Sequence, residues 1–226
     1  MKAEAVFQNK KRMADKERQH INNEVRIKII EHACKLFLQM GVKDVKMDDI
    51  AIQLKISKRT IYEQFTDKKE LLYECLNISH NYLRNKLLPY LKSQEISSFE
   101  KILMCYSLYF KILEHTNKKF FIDLKKYPEI KEERLKQEAH NEKIFTMWLK
   151  QCIKDGYLRK DIEVGLIRNI IKNNLEKLTI STEYPEYTPE VLGRSFILFY
   201  MRGIATEKGE KIIEKYIQNN NLSLDL

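Results

Sequence analysis

Residues that break or punctuate a chain are scarce in this sequence. Its 226 residues include six glycines and four prolines, too few for the many tight turns of a β-sandwich or barrel. Strand-period alternation is missing as well, while Leu, Ile, Lys and Glu are abundant and apolar residues recur at steps of three and four. An all-α fold is expected. The four cysteines, Cys34, Cys75, Cys105 and Cys152, stand apart. They form no CxxC pair and no Cys/His grouping at metal-ligand spacing, so no metal or other cofactor is expected and the thiols are read as free in a reducing cytosol. No apolar run nears the roughly 18 residues that span a bilayer, and the first twenty residues lack the apolar stretch of a secretory signal. A cytoplasmic protein with no membrane partner is expected. Nucleophile elbow, P-loop, HExxH and dinucleotide fingerprints are all missing. The paired acids Glu132–Glu133 lie on a charged helix where solvation explains them. The chain is not read as an enzyme.

What is present is charge and helical period. The formal net charge is +9, an excess that favours polyanionic partners but is a weak argument alone. Residues 1–22 carry six of the Lys/Arg residues (Lys2, Lys10, Lys11, Arg12, Lys16, Arg18) against Glu4, Asp15 and Glu17, a net +3 in a segment with few apolar residues. This segment reads as a charged arm, disordered or loosely helical. Lys10, Lys11 and Arg12 suit either a minor groove or a solvated tail.

From residue 23 the pattern tightens. Asn22 or Asn23 can cap a helix whose apolar positions, Val25, Ile29, Ile30, Ala33, Leu36, Phe37 and Met40, share one face, and Gly41 is a good stop. A short helix follows in "VKMDDIAIQL", with Asp48 and Asp49 in its first turn complementing the helix dipole. "KIS" is a turn, Ser57 an N-cap for a helix from Lys58 to Phe65, and Asp67 the cap of a helix that runs to about Leu88, before Pro89. Longer helices fill the rest: Ser98 to His115, a short one in "KKFFIDLKKY", one from Pro128 to Gly156, one in "GLIRNIIKNNLEKLTI", and a last long one in "EVLGRSFILFYMRGIA" followed by "EKGEKIIEKYIQ". Residues 1–22, 23–70 and 71–226 are the expected arm, N-terminal domain and C-terminal domain.

Two short helices joined by a three-residue turn fit a helix-turn-helix, whose second helix enters the major groove of DNA. Ala51 is small where the helices must cross. Ile50, Leu54, Ile56, Ile61 and Phe65 can form the seam. Lys58, Arg59, Thr60, Glu63 and Gln64 then point outward, and Arg, Lys and Gln can read base edges while Thr meets a thymine methyl. An ordinary helical hairpin with a solvated face carries the same pattern.

The stretch "IAIQLKISKRTIYEQFTDKKELL" resembles the DNA-binding region of TetR-family (AcrR-like) transcriptional regulators. The matching positions are Ile50, Ala51, Ile56, Ser57, Thr60, Ile61, Tyr62, Phe65, Lys68 and Leu71. Upstream, Ala33, Phe37 and Gly41 agree, so the match covers about Val25–Leu76. "IKDGYLRKDI" and "MRGIATEKG" look like looser signatures of that family's C-terminal domain. The resemblance implies a repressor that binds a palindromic double-stranded DNA operator as a homodimer and is released by a small hydrophobic effector. An activator, or a factor regulated by a protein partner, stays open. It also implies an N-terminal three-helix DNA-binding domain and a larger helical ligand-binding and dimerisation domain. Tyr62 and Lys68 would contact phosphates, Lys58, Arg59 and Thr60 would lead into the groove, and Gln64 would touch backbone or base. Two positions depart from the family pattern. Lys46 replaces a capping Thr and cannot accept the orphan N–H bonds, though its charge can reach DNA. Lys55 replaces a turn glycine and is strained if φ is positive there.

In the C-terminal part, Tyr106, Phe110, Phe121 and Trp148, with His115 and His140 beside them, are candidates for an effector site, against core packing as the alternative. His115, near a helix end, also suits a purely structural role. Leu166, Ile170, Leu192, Phe196 and Phe199 are candidates for a dimer seam built as a four-helix bundle, against an intrachain core.

Overall fold

A computed structural model describes residues 2–181 and 183–218, except for the side chains of 2–19, 131, 133–138, 140 and 179. The helices are α1 (Lys2–Met40), α2 (Met47–Leu54), α3 (Lys58–Gln64), α4 (Lys68–Lys92), α5 (Ser98–Glu114), α6 (Lys118–Leu124), α7 (Pro128–Lys154), α8 (Val164–Ile180), α9 (Pro189–Ile204) and α10 (Glu207–Gln218). Among the described residues, the β pairing is an isolated bridge between Leu158 and Ala205.

Most helix starts follow from local chemistry. Ser57, Asp67, Ser97, Asn117 and Thr188 each accept a backbone N–H of the first turn that would otherwise lack a partner. At Ser97 the bond is reciprocal, since Glu100 Oε2 accepts the Ser97 N–H at 3.0 Å. Gly41 ends α1 with φ +90°.

Two boundaries differ from the sequence expectation. The first helix does not start at Asn22 or Asn23; α1 runs unbroken from Lys2. No glycine or proline interrupts residues 1–40, and the Asn22 carboxamide accepts a bond from Gln64 Nε2 instead of capping. The side chains of Lys10, Lys11 and Arg12 lie outside the described residues. The fourth helix does not end before Pro89 but continues to Lys92. Proline removes the bond to the Asn85 carbonyl. Both residues are exposed, so water can serve that carbonyl.

Two apolar cores result. The first gathers α1, α2, α3 and the start of α4, with Ile29, Phe37, Ile50, Ile61, Phe65, Leu71 and Leu72 nearly inaccessible. Phe120 of α6 and Ile130 of α7 close it from the far side. The second joins α5, α7, α8, α9 and α10 around Phe99, Ile102, Leu149, Cys152 and Ile213. Phe121 packs against both, because α6 lies between them.

The docking of α6 on the first core is polar as well as apolar. The Lys43 N–H donates to Asp123 Oδ2 at 2.8 Å, the Asn117 N–H to the Leu38 carbonyl at 2.7 Å, and Lys119 Nζ pairs with Asp44 at 2.8 Å. A Cβ at Gly41 would sit 2.8 Å from Lys119 Cβ, so the approach depends on glycine twice, for φ and for space.

The stretches "IKDGYLRKDI" and "MRGIATEKG" come together. The Arg159 N–H donates to the Ile204 carbonyl and the Thr206 N–H to the Tyr157 carbonyl, both at 3.0 Å, and Thr206 Oγ1 bonds the Gly156 carbonyl at 2.7 Å. This clasp ties the end of α7 to the α9–α10 corner.

Lys55 has φ 56° and ψ 37°. A lysine held in the left-handed region costs about 1–2 kcal/mol, offset in a glycine variant by the larger entropy of its unfolded chain. Lys55→Gly should therefore stabilise the protein by roughly 0.5–1 kcal/mol and raise the melting temperature by about 2 °C. Calorimetry showing a lower melting temperature would mean that the turn is not strained.

Candidate nucleic-acid interface

The surface around α3 is built from behind. Ile50, Ala51, Ile61 and Phe65 are buried, and Leu54 and Ile56 pack partly against them. Ala51 lets α2 and α3 cross closely. The left-handed Lys55 reverses the chain, and the Ile56 N–H returns to the Ala51 carbonyl at 3.0 Å. Ser57 Oγ accepts the Thr60 N–H at 2.9 Å and shares a second bond with the Thr60 hydroxyl at 2.8 Å. The burial of one face leaves Lys58, Arg59, Tyr62 and Glu63 exposed on the other, with Thr60 and Gln64 half-buried.

The cations of this face are held by carboxylates. Lys58 Nζ donates to Asp48 at 2.8 Å and Arg59 Nε to Glu63 at 2.7 Å. The Asp48 carboxylate holds the Lys58 ammonium above its ordinary pKa, first through the hydrogen bond. All four groups are solvated, so these pairs hold weakly and exchange readily for phosphate. The Tyr62 ring lies 6.0 Å from Lys58 Nζ. Lys46 precedes α2 with an exposed side chain. It gives the helix no side-chain cap, but its own N–H donates to Asp49 Oδ2 at 3.1 Å.

Two of the residues expected at DNA are engaged elsewhere. Lys68 Nζ donates to the carbonyls of Val42 and Val45 at 2.8 Å each, and to that of Lys43 at 3.4 Å. Its ammonium thus closes the α1–α2 loop, and burial lowers its pKa. The Gln64 side chain bonds Asn22 of α1.

Arg26 is the residue that sequence reasoning missed. Its guanidinium donates to the Gln64 carbonyl at the end of α3. It also stacks 4.2 Å from the centroid of the Phe65 ring, bonds Glu74 Oε1 at 3.3 Å and lies 3.6 Å from Glu70. One side chain of α1 thus fixes α3 to α4. Its signal in the sequence is a cation three and four residues before the buried Ile29 and Ile30, on the apolar stripe itself.

The other candidates scatter. Tyr106 and Phe110 line a narrow crevice of about 20 Å³, partly open to solvent, between α5, α9 and α10, with Leu103, Ile197, Arg194 and Tyr216. Trp148 is buried in the same core, and Phe145 lies against it and meets Tyr106 edge-on at 5.7 Å. Phe121 lies at the junction of the cores against Phe120. All four effector candidates belong to the second core or pack against it, and Tyr106 and Phe110 of them line this crevice. His115 is the exposed C-cap of α5, and the His140 side chain lies outside the described residues. Leu166 and Phe199 are 58% and 78% exposed, whereas Ile170, Leu192 and Phe196 are half-buried.

Residues 29–75 match the family of bacterial regulatory proteins called the tetR family. The HTH-type transcriptional repressor KstR2 of Mycolicibacterium smegmatis is 23% identical over 82% of this chain and 93% of its own length. Among solved structures, a TetR-family transcriptional regulator from Marinobacter aquaeolei superposes with a TM-score of 0.68 at 16% identity, covering 85% of this chain and 97% of that one. The transcriptional regulator FadR from Bacillus subtilis, in complex with stearoyl-CoA, superposes at 0.58 with 21% identity, covering 79% and 98%.

Removing the Arg26 guanidinium takes this partner from the Gln64 carbonyl and from Glu74, while Glu70 keeps its bonds from Thr66. Arg26→Ala should cost about 2–3 kcal/mol in denaturant unfolding. Arg26→Lys should recover less than half of that, because an ammonium cannot stack and fork at once. Full rescue by lysine would reduce the role of Arg26 to charge alone.

Proposed function

We propose that this chain, a DNA-binding transcriptional regulator of the TetR family, acts in the cytoplasm as a homodimeric repressor that holds a palindromic operator and lets go when a small apolar effector binds. The observation that carries the reading is the two-sided build of α3. Its inner side chains are fixed in a core, and its outer side presents Lys58, Arg59 and Tyr62 to solvent.

On DNA, Lys58 and Arg59 exchange Asp48 and Glu63 for phosphates or base edges, at little cost because both pairs are exposed. The Tyr62 hydroxyl and the Lys46 ammonium grip the backbone, and Thr60 meets the groove floor. Gln64 and Lys68 reach DNA only by leaving Asn22 and the α1–α2 loop. We read both first as positioning groups.

The exposed apolar side chains of α8 and α9 support a seam between two copies, with Leu166 and Phe199 at its centre and Ile170, Leu192 and Phe196 around them. Two-fold pairing sets two α3 helices a turn of DNA apart, or a multiple of it, which makes the operator a palindrome. The crevice beside Tyr106 and Phe110 is the apolar space through which an effector enters the second core. The complex of FadR with stearoyl-CoA is a relative of this fold that holds a long apolar chain. Since α6 touches both cores, repacking of the second moves α6 and, through Asp123 and Lys43, the α1–α2 loop. The division of labour falls near residue 70, with reading before it and regulation after it.

Affinity for a selected operator should fall steeply with salt, with log K losing about 0.9 per phosphate contact for each decade of salt. Tyr62→Phe should weaken binding to all duplexes by a similar factor; a flat salt profile, or a loss confined to one base position, contradicts the phosphate role. In sedimentation the protein should run as a dimer at micromolar concentration and Phe199→Glu as a monomer. A wild-type monomer would remove the two-fold operator from the reading.

A further inference from the structure

Cys34 and Cys75 face each other where α1 packs on α4. Cys34 Sγ lies 4.0 Å from the Cys75 carbonyl oxygen and 3.3 Å from Ser79 Oγ, one turn further along α4. Cys75 Sγ donates to the Ile30 carbonyl at 3.4 Å, one turn before Cys34. The two thiols also act on each other, Cys75 lowering the pKa of Cys34 and Cys34 raising that of Cys75. Cys75 is 2% exposed and belongs to the first core, whereas Cys34 is half-buried at its edge. The pair thus has an outer sulfur at the edge of the core and an inner sulfur shielded from solvent.

The outer sulfur is also the more acidic. Its bond with Cys75 is the main cause that brings Cys34 down to about 7; burial opposes this and Ser79 assists. Burial pushes the other two thiols the opposite way, Cys105 to about 11 and Cys152 to about 12. A thiolate, not a thiol, is the nucleophile, so an oxidant meets one favoured sulfur in this chain.

We propose that Cys34 and Cys75 form an oxidation site within the DNA-binding domain, which takes a peroxide as substrate and closes to a disulfide that weakens operator binding. In the first step the Cys34 thiolate attacks one peroxide oxygen. The O–O bond breaks, Cys34 becomes a sulfenic acid, and the other oxygen leaves as hydroxide and takes up a proton. In the second step the Cys75 sulfur attacks the Cys34 sulfur. The S–O bond breaks, hydroxide departs with the Cys75 proton as water, and the S–S bond forms. Two thiols are oxidised and one hydrogen peroxide is reduced to two waters.

The consequence for DNA follows from what shares this interface. Glu74 precedes Cys75 and holds Arg26, which holds the end of α3. A disulfide draws two sulfurs from non-bonded contact to about 2.05 Å. Helices α1 and α4 must then shift against each other, and the grip on α3 shifts with them. Binding and oxidation are reciprocal at equilibrium, so bound operator disfavours the disulfide by the factor by which the disulfide weakens binding.

The effect on DNA rests on the regulator reading, but the chemistry is tested apart from it. Reduced full-length protein is treated with a small excess of hydrogen peroxide, alkylated, digested and mapped by mass spectrometry. The expected product is a Cys34–Cys75 cross-link, lighter by two hydrogens, with Cys105 and Cys152 alkylated once unfolded. The same samples are titrated with a duplex selected from a random pool by the reduced protein. Affinity should fall roughly tenfold or more, return with dithiothreitol, and stay unchanged by peroxide in Cys34→Ser. Free Cys34 and Cys75 after treatment, a cross-link with undiminished affinity, or an equal loss in Cys34→Ser would each overturn the proposal. If the cross-link forms but the reduced protein selects no duplex, the regulator reading fails instead, and with it the stated consequence.

Discussion

A helix of seven residues cannot hold itself in water, because nucleation is costly and few backbone bonds repay it. Everything about α3 therefore depends on what surrounds it. Ser57 fixes its start, Ile61 and Phe65 press its inner side into the first core, and Arg26 takes its last carbonyl. The outward side is left free to be chosen for chemistry rather than packing. Surfaces that meet a polyanion need such an arrangement, since their own charges repel one another and contribute no cohesion.

The same dependence explains the placing of α6. Its apolar residues divide between two cores, and its polar ones bond to the loop that leads into α2. The long α4 also links the cores, with Leu71 and Leu72 in the first and Leu91 against the second. The short α6 adds a second link, with Phe120 in one core and Phe121 touching both, and its close approach depends on Gly41.

Much of this was legible from the residues, and the part that was not has a common cause. Caps at Ser57 and Asp67, the buried set Ile50, Ala51, Ile61 and Phe65, and the strain at Lys55 are all local, set by neighbours within one or two turns. Arg26, the Asn22–Gln64 bond and the carbonyl partners of Lys68 join segments about 20 to 40 residues apart. Spacing is silent on these. Asn22 looked like a cap because asparagine often is one. With no breaker ahead of it the helix simply continued, and its carboxamide found a distant partner. Pro89 looked like a stop, yet an exposed last turn tolerates one missing bond. The effector candidates are aromatics on helical stripes. The helices put only Tyr106 and Phe110 on the crevice, because ring spacing along one helix does not say which neighbour it faces.

The turn from Val42 to Val45 would otherwise present a ring of carbonyl oxygens, a patch of partial negative charge, within the domain proposed to bind DNA. Lys68 fills that ring with its ammonium. On the proposed reading, a lysine held against oxygens converts a repulsive rim into a neutral or mildly attractive one, and adds to the field at bound DNA without leaving its place in the fold.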